Sequence, residues 1–306
     1  MPERTVDIVI VGSVGIDTVE TPYARRESIL GGSASYACMA ASYFAPTGMV
    51  GVVGADFPEA YRKLYADAGI NLDGLRTVPG DTFRWEGKYE ANMDNRSTLA
   101  IALNVFEDFK PELPAGYVNA PYIFLGNISP QLQMHVLDQV KSPEFVLADT
   151  MDLWIQTAPD DLKKLISRVD MLTLNESEAR ALTGGRYSLI RAGRDLLELG
   201  PKYVMIKKGE HGSLLITRDN LFVLPAFPLE RVVDPTGAGD TFAGAFLGAL
   251  ARSGGISEKN LRRAMRCGAV VASIGIEAFS LDALRHLTLA EIEKRVSQFR
   301  AYTAID

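Results

Sequence analysis

Residues Asp234–Leu250 read DPTGAGDTFAGAFLGAL. Pro235 ends whatever element precedes it, because proline fixes φ and has no amide hydrogen. Gly237, Ala238 and Gly239 carry no bulky side chain, so the backbone there can come close to a ligand. A small-residue helix is predicted to follow at once, over Ala238–Arg252. Its first amides have no intrahelical partner, and its dipole is positive at that end. Together these features make an anion hole suited to phosphate. Asp240 falls on the first turn of that helix, where it can take a proton from a hydroxyl held beside the phosphate. Read alone, a Gly-x-Gly turn also serves simply to let a helix pack tightly, with the aspartate as a cap.

Outward from this stretch, apolar β-rich runs alternate with helical patterns. Strands are predicted at Val6–Val11, Met49–Val53, Tyr122–Leu125, Phe145–Ala148, Met171–Leu174, Tyr203–Ile206, Ser213–Ile216 and Leu221–Leu224. Helices are predicted at Ser33–Phe44, Pro58–Ala68, Gln131–Val140, Asp160–Ser167, Ser177–Leu182 and Tyr187–Leu199. The C-terminal third is helical, at Ala238–Arg252, Glu258–Ile274 and Leu289–Tyr302. Several strands are continuously apolar, as strands covered on both faces are. The alternation implies parallel βαβ units in a central sheet.

One segment breaks the rhythm. In Thr82–Glu90, TFRWEGKYE, the aromatics Phe83, Trp85 and Tyr89 alternate with charged residues. A polar turn (Asn92–Asn95) follows, and then Leu99, Ile101, Leu103 and Val105 alternate with smaller or polar residues. Period-two alternation about a polar turn predicts a β-hairpin with one face in solvent, read as a lid or a dimer-forming flap. Arg84, Lys88 and Arg96 are its cations, with Arg84 and Lys88 on the polar face. No internal repeat or long linker divides the chain.

The Asp234–Asp240 stretch resembles the signature of the ribokinase family, the PfkB-type carbohydrate kinases, with each position of the D-P/T-x-G-A-G-D core filled. The resemblance implies an α/β fold: a ribokinase-like, Rossmann-type three-layer α/β/α sandwich with a small β lid. It implies one domain over 1–306, its lid formed by discontinuous segments at about 17–30 and 82–106. It also implies ATP-dependent transfer of a phosphoryl group to a hydroxyl of a sugar-like acceptor, with Asp240 as base and Gly237, Ala238 and Gly239 as anion hole. Asp17, in VGSVGID, then matches an aspartate that binds substrate hydroxyls. Gly31, Gly32 and Ser33 match the turn that brings backbone against the sugar, and Asn127 is a further substrate-side residue. The family usually has Asn four residues after the second Gly, where this chain has Tyr36.

The NESE stretch, Asn175–Glu178, fits the family's N-x-x-E motif, which implies that Glu178 organises Mg2+ through water and that Asn175 lies on the nucleotide side. A capping box would use the same spacing. VMIKKGEHG, Val204–Gly212, resembles the nucleotide-side strand end, with Lys207 for phosphate and Gly209 and Gly212 admitting the nucleotide. Asp234 and the Thr236 carbonyl match part of a loop that holds a monovalent cation, K+. Three readings stay open: a sugar kinase, a nucleoside kinase of the adenosine kinase kind, and an inactive nucleotide-binding regulatory protein. A homodimer through the lid is expected.

Composition narrows the rest. The chain has 306 residues, 32 Lys and Arg against 38 Asp and Glu, and a net charge of −6, unlike the basic surface of a nucleic-acid-coating protein. Cys38 and Cys267 lie in apolar stretches and read as buried thiols, so a cytoplasmic location is expected. The apolar run near the N-terminus is too short for a signal segment or a membrane span. Neither a Walker P-loop nor the protein-kinase motifs are present.

Overall fold

The computed structural model describes residues 5–304; the remainder of the expected 1–306 unit lies outside them. The chain runs β1 (Ile8–Val11), β2 (Gly15–Glu20), β3 (Arg25–Gly31), α1 (Ser33–Ser42), β4 (Thr47–Val53), α2 (Glu59–Asp67), β5 (Asn71–Thr77), and then a hairpin of β6 (Phe83–Tyr89) and β7 (Arg96–Ala102). Next come β8 (Tyr122–Leu125), α3 (Pro130–Leu137), β9 (Phe145–Asp149), α4 (Asp152–Thr157), α5 (Pro159–Ile166), β10 (Met171–Asn175), α6 (Glu176–Leu182), α7 (Leu189–Leu197) and β11 (Tyr203–Lys207). The chain closes with β12 (Ser213–Ile216), β13 (Leu221–Leu224), α8 (Ala238–Arg252), α9 (Glu258–Gly275) and α10 (Leu289–Thr303).

The main sheet has the order β13-β12-β11-β10-β9-β8-β1-β4-β5. Successive side chains of a strand point to opposite faces, and the sheet is apolar on both. Ile8 and Ile10 of β1 join a core with α1, α8 and α9, whereas Val9 and Val11 join a second core with α3, α5 and α7. Helices therefore cover both faces, giving three layers. From β5 to β11 the pairings are parallel, as expected, but β11–β12 and β12–β13 are antiparallel. Their connections, 208–212 and 217–220, are too short for the crossover that parallel strands need.

A second sheet, order β3-β2-β6-β7, combines residues 15–31 with the hairpin. The strands β2 and β3 are not read from periodicity, although the resemblance implies a lid segment at 17–30: β2 is ordered by pairing with β6, about 70 positions away, and β3 by pairing with β2. The edge strand β5 is missed for want of an apolar run, and α4 because its six residues are too few to show a helical period. Strand β7 ends at Ala102, and Leu103 and Val105 leave it, because Asn104 adopts φ 49° and donates its amide to the Thr82 carbonyl. The second sheet is tied to the main body by Asp56, which accepts from Thr82 and pairs with Arg84 at 2.7 Å, and by Ser280, whose hydroxyl donates to the Leu30 carbonyl. Among the described residues, no helix is long and apolar enough to cross a membrane.

Candidate active site

The C-terminal ends of β9, β10 and β11 bring Asp149, Asn175 and Lys207 to one edge of the main sheet. That is the edge where open α/β sheets bind ligands. The start of α8 meets it there. Gly237 caps this helix in the left-handed region (φ 72°), and a Cβ on it would stand 2.3 Å from the Tyr36 ring, so only glycine fits. No side chain caps α8. The Ala238 amide donates to the Pro235 carbonyl at 3.2 Å, and the Asp240 amide to its own carboxylate. Of the amides expected at the anion hole, Gly237 and Gly239 carry no such commitment. A Cβ on Gly239 would stand 3.0 Å from the Lys207 ammonium, which places that cation at the helix start.

Lys207 pairs with Asp149 at 3.0 Å. Burial alone would weaken its charge, but Asp149, Glu178 and Asp240 outweigh it and raise its pKa. Burial lifts the Asp240 carboxyl to about 7; Asp149 adds to the lift, and Lys207 and Arg96 oppose it. Glu178 is likewise lifted to about 7 by burial and then by Asp149. A carboxyl titrating near neutrality is matched to take up a proton at neutral pH. The capping box at Asn175 is complete: its side chain accepts from the Glu178 amide at 2.9 Å, and its own amide donates to Glu178 Oε2 at 2.7 Å. One Glu178 oxygen, Oε1, stays outside that box.

Asp17 lies on β2 of the second sheet, is 4% exposed, and faces the main body. Burial, then the charge of Asp234, lifts its carboxyl to about 7, while the Trp85 amide pulls it down. Its Oδ2 lies where a Cβ on Gly31 would be, 1.8 Å away, so the Gly-Gly turn is shaped around this acid. Gly32 has φ 96°, and a Cβ there would meet the Ser13 carbonyl at 2.4 Å. Ser33 and Ser13 clasp each other, each hydroxyl accepting from the other's amide. Asn127 is committed elsewhere: its amide donates to the Met151 sulfur and accepts from Trp154 Nε1 at 2.9 Å. Asp234 braces the loop before α8, accepting from the amides of Thr236 (2.9 Å) and Ser280 (3.2 Å). Gly209 and Gly212 both have positive φ, and Gly209 lies under the Asp94 carboxylate at the hairpin tip.

One residue of this site escapes a reading of the sequence: Asp149 ends β9, and its only signal is an acid closing the apolar run FVLA. Tyr89 and Arg96 are read as an aromatic and a cation of the hairpin, and the structure gives them partners. Tyr89 shares a 3.2 Å hydrogen bond with the Thr236 hydroxyl, and the Arg96 guanidinium lies 5.3 Å over the Trp85 ring. Of the three hairpin cations, Arg84 pairs with Asp56 and Lys88 with Glu20 on the surface, and the charge of Arg96 is the one that favours the ionised Asp240.

Comparison with known proteins identifies the family and the fold. Residues 6–284 match the pfkB family carbohydrate kinases. A cytidine kinase of Thermococcus kodakarensis is 31% identical over 260 residues, spanning 82% of this chain and 91% of that protein. The ribokinase of Arabidopsis thaliana, solved with ribose and ATP, superposes with a TM-score of 0.76 at 25% identity, over 95% of this chain and 99% of that one. A nucleoside kinase of Methanocaldococcus jannaschii superposes at 0.78 with 20% identity, over 96% and 99%. The fold is thus the ribokinase-like three-layer sandwich expected from the signature. Because the match runs from β1 past the helix that carries Asp240, taking in both segments of the second sheet, this chain belongs to the pfkB family of carbohydrate kinases.

Proposed function

We propose that this chain moves the terminal phosphoryl group of ATP in line onto a hydroxyl of a small sugar or of a nucleoside's ribose, with Asp240 as general base. The observation that carries this reading is the placement of the Asp240 carboxyl on the first turn of an uncapped helix, beside the Lys207 ammonium. The acceptor lies between Asp17, the Gly31–Gly32 turn and Asp240. Asp240 takes its proton as attack develops. The Gly237 and Gly239 amides and Lys207 hold charge on the transferred group.

Asn175, Gly209, Gly212 and Thr236 line the nucleotide side in this reading. The free Glu178 oxygen fits a magnesium ion that keeps waters and phosphate oxygens among its ligands. Magnesium, when bound with ATP, supplies positive charge to the phosphates. Potassium fits less well, because each Asp234 oxygen already accepts from a backbone amide, and no step needs it.

The second sheet, segments 17–30 and 82–106, acts as a lid within one domain and excludes water from the acceptor. A nucleoside acceptor is favoured by Trp85, half-buried and in register with Asp17, where its ring can face a base. Leu99 and Ile101 on β7 are 51% and 59% exposed, which supports a homodimer through this face. Cys38 and Cys267 are buried and unbridged, which supports a reducing compartment such as the cytoplasm.

ADP release measured with a panel of sugars, inositols and nucleosides tests the function. Stimulation by at least one acceptor, abolished in Asp240→Asn, is expected. ATP binding with no stimulation by any acceptor would favour an inactive binding protein and overturn the reading.

A further inference from the structure

The acceptor side holds two buried polar atoms with no hydrogen-bond partner, Asp17 Oδ1 and the Tyr36 hydroxyl. Tyr36 is 3% exposed on α1, and its ring is packed on Gly237, so the phenol cannot swing out to water. Four polar groups bear on that phenol: Asp234, Asp17, Tyr89 and Asp240. Asp234 has both oxygens on backbone amides, and the Tyr89 hydroxyl is shared with Thr236. Asp17 Oδ2 lies against Gly31. Apart from the base itself, Asp17 Oδ1 is the buried oxygen among these groups that has no partner at all.

A carboxylate only accepts hydrogen bonds, whereas a phenol can donate one. The two atoms do not bond each other. One alcohol oxygen can meet both needs, accepting from the phenol and donating to the carboxylate. A methylene in its place meets neither, and leaves two buried polar groups unsatisfied.

We infer that Tyr36 is a specificity-determining residue that grips, together with Asp17, one hydroxyl of the acceptor other than the one phosphorylated, so that the enzyme selects polyhydroxylated acceptors over their deoxy counterparts. This rests on the kinase reading above. Sites built to hydrogen-bond a substrate hydroxyl reject analogues lacking it far more strongly than apolar pockets reject a missing methylene.

The test compares kcat/KM for paired probes in the wild type and in Tyr36→Phe. The pairs are cytidine against 2′-deoxycytidine and 3′-deoxycytidine, D-ribose against 2-deoxy-D-ribose, and the best acceptor of the wider panel against its own monodeoxy forms. The wild type is expected to favour the parent over one deoxy form by about 100-fold or more. In Tyr36→Phe that ratio falls about tenfold, through a higher KM for the parent, with KM for ATP and the melting temperature nearly unchanged. A packing role alone would lower the melting temperature and leave the ratio intact. An unchanged ratio in the variant, or a wild type indifferent to every deoxy form, overturns the inference while the kinase reading stands. A wild type that phosphorylates no acceptor at all removes that reading and this inference with it.

Discussion

Asp240 and Asp17 are both lifted to about 7, chiefly by burial, yet they make different predictions. A base must be ionised to act. The logarithm of kcat/KM is therefore expected to climb with pH up to about 7 and then level off, an acid limb that a stopped-flow or coupled assay reads directly. Asp240→Asn should lose turnover by about 1000-fold or more while the dissociation constant for ATP stays within about threefold. Asp17 bears on stability instead. Its folded-state pKa lies above its unfolded value, so the folded state binds the extra proton and stability falls as pH rises from about 4 to about 7. Asp17→Asn escapes that fall. It should be more stable than the wild type by on the order of 3 kcal/mol at pH 8, with the gap closing toward pH 4, as followed by urea unfolding.

At the level of elements, the NESE segment shows how one spacing serves two purposes. The Asn175–Glu178 capping box starts α6, and glutamine can complete such a box as well as glutamate. Glu178→Gln should therefore keep the melting temperature while the magnesium needed for half-maximal rate rises on the order of tenfold. An unaltered magnesium requirement would reduce Glu178 to a cap. Gly237→Ala acts on the opposite flank of the site. The left-handed cap and the Tyr36 ring leave no place for a methyl group, and a loss on the order of 2–4 kcal/mol in unfolding free energy is expected.

The helices other than α4 and the inner strands of the main sheet were legible because their signals are local: an apolar run, a cap, a glycine turn. Asp240 was marked by such a turn, whereas Lys207 and the Gly31–Gly32 turn were singled out by the family resemblance. The strands β2 and β3 were not, since β2 is ordered by pairing with β6 and β3 by pairing with β2. Tyr36 stood out only as a departure from a pattern, and nothing in SASYACMA tells that its ring would lie on Gly237. Asp149 lies just past the predicted strand and goes unremarked; its partner Lys207 comes from two strands away.

For the whole molecule, the uncovered face of β7 predicts association. Replacing Leu99 and Ile101 together by Lys should convert a dimer to monomers in sedimentation velocity, with little loss of monomer stability because both side chains are already in solvent. The two acids of the site also sit on different bodies. Asp17 is carried by the small sheet, and Asp240 is fixed to the large one. In the proposed reading, recognition by Asp17 and activation by Asp240 would therefore need both sheets together, and an acceptor spanning them would bridge the two. On that reading ATP alone would meet only half of the machinery and idle hydrolysis would be slow, and a compound that wedged the two sheets apart would silence the enzyme without touching either carboxylate.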